Sequence, residues 1–181
     1  MKNKIFVVDM LNGFCNMGAL QSKEVATIIP NIASYLREHK NDSITFINDA
    51  HSKKDLEMKQ YPVHCLKNTK EAEIVDELKP YVKDIIFKNS TNAFYYINIE
   101  ELQNYNEIII VGCCTDICIM QFALSLKVYF NKINLDKKVI VIKECVNTFN
   151  TNEHNYKEYN NFALNIMRNA GVEIQSWKKD M

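Results

Sequence analysis

Hydrophobic positions along the chain follow two alternating rhythms. Short β-branched runs, IFVVD (5–9), SITFIND (43–49), DIIFK (84–88), EIIIVG (107–112), KVIVIKE (138–144) and VEIQSW (172–177), predict strands. Several are apolar on both faces, as strands buried inside a parallel sheet must be. Between them, residues 22–40, 69–82, 98–105, 115–131 and 153–170 carry helical spacing, the last followed by Gly171 as a helix stop. Alternation with crossovers of this length predicts an α/β fold: a single three-layer α/β/α domain over 1–181, built on a mostly parallel, doubly wound sheet of six strands. No linker, repeat or low-complexity segment interrupts it. Residues 50–68 are the exception, a connection long enough to be functional or disordered.

In open parallel sheets, ligands bind outside the carboxyl ends of the strands. The polar residues that end the strand runs are Asp9, then Asp49 and His51, then Lys88, then the group from Cys113 to Cys118. Each alone reads as a solvated loop residue. Together they bring an acid, a cation, a metal-ligand pair and thiols to one rim.

Thr115 and Asp116 are good helix N-cap residues, so Cys118 falls in the first turn of the following helix. The positive end of the helix dipole, and a nearby cation such as Lys88, would favour its thiolate. Cys15, Cys65 and Cys145 read instead as small buried hydrophobes, and Cys113 and Cys114 as structural residues whose backbone matters. Within NDAHSKKDLEMKQYPVHC (48–65), Asp49 and His51 at i, i+2 can point to one side. With Glu57 and His64 they make a mixed nitrogen and oxygen set suited to one divalent ion, zinc first, manganese or iron next. The competing reading is a polar surface loop.

Composition narrows the class. The 22 basic residues equal the 22 acidic ones, so no global field draws the chain to nucleic acid or anionic lipid. No leader-like start and no apolar run near the ~20 residues of a membrane span appears, which predicts a cytoplasmic protein. The six cysteines lack both disulfide-scaffold spacing and C-x-x-C pairs, so they are expected to be reduced. The absence of a G-x-G-x-x-G or Walker-type loop weighs against nucleotide binding, and the absence of C-x-x-C against thiol redox chemistry. A small-molecule partner is the expectation, with room for a homo-oligomer.

VVDMLNGFC with Asp9, the D-x-H of NDAH, YPVHC, FKNSTNAF with Lys88, and VGCCTDICIMQFA occur in that order. In these pieces, from residue 4 to about 125, the sequence resembles the isochorismatase-like cysteine hydrolases, and within them the nicotinamidases. The resemblance implies Cys118 as nucleophile, Asp9 as its acid/base and Lys88 as the cation beside them. It implies a divalent metal on Asp49, His51 and His64, with Glu57 where a histidine is usual. It also implies a cis peptide between Cys113 and Cys114, an oxyanion hole from the Cys114 and Cys118 amides, and Phe14 and Tyr61 around a flat amide substrate. Tyr61 stands where Trp or Phe is common. Phe122 replaces a Thr and is expected to reshape the pocket wall. Another amidohydrolase of the superfamily, acting on an N-carbamoyl or maleamate-type substrate, is the alternative, ahead of a non-catalytic ligand-binding domain.

Overall fold

A computed structural model describes residues 2–178; the expected span of 1–181 runs past these at both ends. All six expected strands form: β1 (Lys4–Val8), β2 (Ser43–Asp49), β3 (Ile85–Lys88), β4 (Glu107–Cys113), β5 (Lys138–Asn147) and β6 (Glu173–Gln175). They make one sheet in the order β3-β2-β1-β4-β5-β6, every pair parallel. Strand alternation sends Ile5 and Val7 into one apolar layer and Phe6 and Val8 into the other. The chain therefore needs helices on both faces.

Helix α3 (Ile29–Glu38), after the short α1 (Asn12–Cys15) and α2 (Lys23–Ala26), covers the first face with Ile29, Ile32, Tyr35 and Leu36. Helices α4 (Met120–Lys132) and α5 (Tyr156–Asn169) cover the second. They use Phe122, Ala123, Leu126 and Phe130, and Leu164 and Met167. Asn155 caps α5 by accepting from the Lys157 and Glu158 amides, and Gly171 follows at φ +90°.

Register lines up the carboxyl ends. Val8 pairs with Ile47 and with Gly112, and Asp49 with Lys88, so the residues that leave these strands meet on one rim. Gly112 permits this closeness: it sits at φ +119°, and a Cβ there would lie 2.1 Å from the Val8 carbonyl oxygen.

Several expected helices differ. Residues 22–40 split into α2 and α3. Residues 69–82 give only 3-10 turns, Lys70–Ala72 and Asp76–Tyr81. Their backbone is used elsewhere: Asn12 N donates to Glu73 O (2.9 Å), Val75 N to Met10 O (3.1 Å), and Leu11 bridges Ile74. Residues 98–105 likewise form a 3-10 turn, Glu100–Asn104. The long connection is ordered, because His51 N donates to Cys65 O (3.0 Å) and Lys67 N to His51 O (2.9 Å), pinning both ends together. Phe122 is fully buried, its ring 5.2 Å from that of Phe6, so it fills the core instead of reshaping a pocket wall.

Candidate active site

The rim gathers the expected residues. Asp9 leaves β1 at φ +55°, and its Oδ1 accepts from the Asp49 amide at 3.0 Å. Lys88, fully buried at the end of β3, places Nζ 2.8 Å from Asp9 Oδ2 and against Asp49 Oδ1. The Cys118 thiol and the Asp9 carboxylate are near enough for each to shift the other's ionisation. One cation thus serves two carboxylates, and one of these acts on the sulfur.

Burial and then the neighbouring Asp49 push the Asp9 carboxyl up to about 6, against the pull of Lys88. For Asp49, burial is outweighed by Lys88 and by the neighbouring His51 and His64 imidazoles, which hold the carboxyl well below its usual range. Burial opposes the charge on Lys88, but the Asp9 and Asp49 carboxylates hold its ammonium well above the ordinary lysine value.

The thiol corrects the expectation of a resting thiolate. Burial pushes Cys118 well above the ordinary cysteine value, more strongly than Lys88 pulls it down, and Asp9 adds to the rise. The helix-start argument gave too much weight to the dipole. The chain enters α4 through a π turn, Thr115–Ile119, which leaves Cys118 only 7% exposed. The resting thiol is therefore neutral.

Beside this group, Asp49, His51 and His64 hold ligand atoms within 4.8 Å of one another. Asp49 Oδ2 lies 3.5 Å from His51 Nε2 and 3.6 Å from His64 Nε2. His51 Nε2 is 3.8 Å from Glu57 Oε2, and both atoms are buried without a hydrogen-bond partner. Burial and the Asp49 charge raise the Glu57 carboxyl. Two unsatisfied ligand atoms and crowded negative charge suit a divalent cation. The other ring nitrogens are oriented from behind, His51 Nδ1 by Asp55 (3.2 Å) and His64 Nδ1 by the Pro62 carbonyl (2.8 Å).

A cavity of about 410 Å³ opens onto this arrangement. Its lining includes Cys118, Cys114, Asp49, Glu57 and His64, with Phe14 and Tyr61 as its aromatic walls. Asp9, Lys88 and His51 stand behind the lining. The Phe14 and Tyr61 rings lie 5.6 and 6.4 Å from the His64 ring. The Cys113–Cys114 peptide is cis, and the Cys114 carbonyl accepts from the Ile117 and Ile119 amides, both at 3.1 Å.

All the expected site residues therefore meet at one place. Sequence reasoning missed Asp55, Thr91 and the wall segment Phe149–Thr151. The rim rule could have found that segment, since it follows β5, and Asp55 stands four residues after His51, between His51 and Glu57. Cys15, Cys65 and Cys145 are buried free thiols, as expected.

Known proteins agree with this architecture. Nicotinamidase 1 of Arabidopsis thaliana is 26% identical over 144 residues, which is 67% of this chain and 58% of that protein. The chain thus spans well under two thirds of that relative. Zinc-bound pyrazinamidase of Pyrococcus horikoshii superposes with a TM-score of 0.79 at 24% identity, covering 98% of this chain and 100% of that one. N-carbamoylsarcosine amidase of Thermoplasma acidophilum gives 0.78 at 22% identity over 99% of both chains. Pyrazinamidase/nicotinamidase of Streptococcus mutans gives 0.80 at 22% identity, covering 96% of this chain and 100% of that one. Residues 4–179 match the isochorismatase domain, and the chain belongs to that family.

Proposed function

We propose that the protein is a cysteine amidohydrolase that converts nicotinamide and water to nicotinate and ammonia. The observation that carries this reading is the meeting of a thiol and a lysine-paired aspartate that acts on it with a two-histidine, two-carboxylate set, both groups beside one aromatic-walled cavity. Its likeness to a curated nicotinamidase supports the same substrate class.

The chemistry starts from the neutral thiol. As Cys118 Sγ attacks the carboxamide carbon, its proton passes to Asp9, whose carboxyl, at about 6, is suited to both giving and taking a proton near neutral pH. The amide oxygen becomes an oxyanion held by the Cys114 and Cys118 amides. Asp9 then protonates the nitrogen, the C–N bond breaks, and ammonia leaves a thioester on Cys118. Asp9 next accepts a proton from water as the water attacks the thioester carbonyl. The C–S bond breaks, and the sulfur takes that proton back from Asp9 to leave as the free thiol. Lys88 stays charged throughout and keeps Asp9 in place.

A divalent ion would be held by Asp49, His51 and His64, with Glu57 beside them. It would supply a Lewis-acid contact for the pyridine nitrogen, which orients the substrate. Phe14 and Tyr61 would flank the ring and keep water from its faces.

The test is ammonia release from a panel of nicotinamide, pyrazinamide, an N-carbamoyl amino acid and maleamate, with protein metal-loaded or chelated. Preference for the two pyridine-type amides, lost on chelation, is expected. Preference for the carbamoyl or maleamate substrate, indifferent to chelation, would replace this reading with the other amidohydrolase.

A further inference from the structure

The mechanism leaves the partly buried His154 without a task. His154 lies between β5 and α5, its side chain only 12% exposed and held between two rings. Phe149 stacks on one face at 3.9 Å and Tyr159 on the other at 3.7 Å. Its Nδ1 is 2.9 Å from the Phe149 carbonyl oxygen and its Nε2 is 2.7 Å from Asp116 Oδ2. A carbonyl only accepts, so Nδ1 carries a hydrogen and donates it. With Nδ1 protonated, the contact to Asp116 needs one further proton, shared between ring and carboxyl.

Each end of this contact adjoins a part of the cavity wall. Asp116 stands two residues before Cys118 in the same π turn, and Phe149, Asn150 and Thr151 form part of the cavity wall. That wall hangs on His154: Thr151 N donates to His154 O at 3.0 Å, and His154 N to Thr151 O at 3.3 Å. Asn150 Oδ1 accepts from the Tyr156 amide at 3.2 Å, closing the segment into one unit. The His154–Asp116 hydrogen bond ties that unit to the turn bearing the sulfur.

We infer that His154 is a positioning residue: through Asp116 it clamps the Phe149–Thr151 wall to the turn that presents Cys118, and so sets the width of the cavity beside the sulfur. The titratable groups facing it are Asp116 from the π turn and Tyr159 from α5, and Glu153 precedes it in its own connection.

For its activity arm the inference rests on the proposed amide hydrolysis. KM and kcat for nicotinamide are measured at neutral pH in metal-loaded wild type, His154→Ala and His154→Gln. Loss of one charge-assisted hydrogen bond in the wall predicts that His154→Ala raises KM about 10-fold with kcat changed less than about 3-fold. Glutamine keeps a donor towards Asp116. His154→Gln should therefore stay near the wild-type KM.

Iodoacetamide alkylation of Cys118, followed by peptide mass spectrometry, needs no amide substrate. His154→Ala is expected to react about 10-fold faster as the clamp opens, and His154→Gln at nearly the wild-type rate. Equal alkylation in His154→Ala and wild type, or His154→Gln behaving like His154→Ala, overturns the inference. If the wild type releases no ammonia from nicotinamide but alkylation separates the variants as expected, the functional reading fails and the clamp stands.

Discussion

Asp9 and Asp49 share one lysine yet end on opposite sides of the ordinary carboxyl range. Asp49 turns Oδ1 to Lys88 and Oδ2 to two imidazoles, and these three neighbours together favour its charge. Asp9 has Lys88 on one oxygen and faces Asp49 itself, so it rises to about 6. The first is suited to holding a cation, the second to moving a proton. Replacing the lysine should expose how much both depend on it. Lys88→Met leaves two buried carboxylates without their cation and is expected to lower stability by about 3 kcal/mol, measured by urea unfolding. Because the folded-state value of Lys88 is raised, its stabilising effect is complete below the ordinary lysine range and fades only as pH climbs through the raised value. The deficit should thus persist across neutral pH.

At this scale the rim rule found Asp9, Asp49, His51, Lys88 and Cys118 because each stands at the end of a strand or just past it. It missed Phe149–Thr151 because the apolar run was ended at residue 144, whereas β5 continues to Asn147. The ionisation of Cys118 was misread because helix position is visible in the sequence and burial of a particular sulfur is not.

Among elements, the sheet was legible and the helices less so. Six β-branched runs gave six strands, because apolar residues on both faces have no stable place except inside a covered sheet. The segment 69–82 has helical spacing, but its Glu73 and Val75 backbone pairs with residues 10–12, and Pro80 cannot donate. Tertiary hydrogen bonds overrode local pattern there. The β1–β4 contact depends on one glycine. Gly112→Ala would force a Cβ to 2.1 Å from the Val8 carbonyl oxygen at a backbone angle of +119°. Circular dichroism of the soluble fraction is expected to show a protein that fails to fold; a native spectrum at normal yield would mean that β4 can move away from β1.

At the scale of the whole molecule, the parallel order places the ends of β3, β2, β1 and β4 side by side and brings the 50–68 connection beside them. Among the described residues no helix is long and apolar enough to cross a membrane. The cluster of Asp49, His51, His64 and Glu57 joins β2 to that connection, so an ion bound there should stabilise the fold as well as the site. At about 100 times its dissociation constant, such an ion contributes about 2.7 kcal/mol, raising Tm by about 5 °C or more. Differential scanning calorimetry with and without zinc should show this rise, and His51→Ala should abolish it. An equal rise in both proteins would place the ion elsewhere.

The central claim is that the Cys118 sulfur, deprotonated by Asp9 during attack, is the nucleophile. Its most direct test is the initial rate of ammonia release from nicotinamide by metal-loaded wild type and by Cys118→Ala at matched metal content. The account predicts turnover by the wild type and none above background for the variant. Turnover by Cys118→Ala at a comparable rate would contradict it.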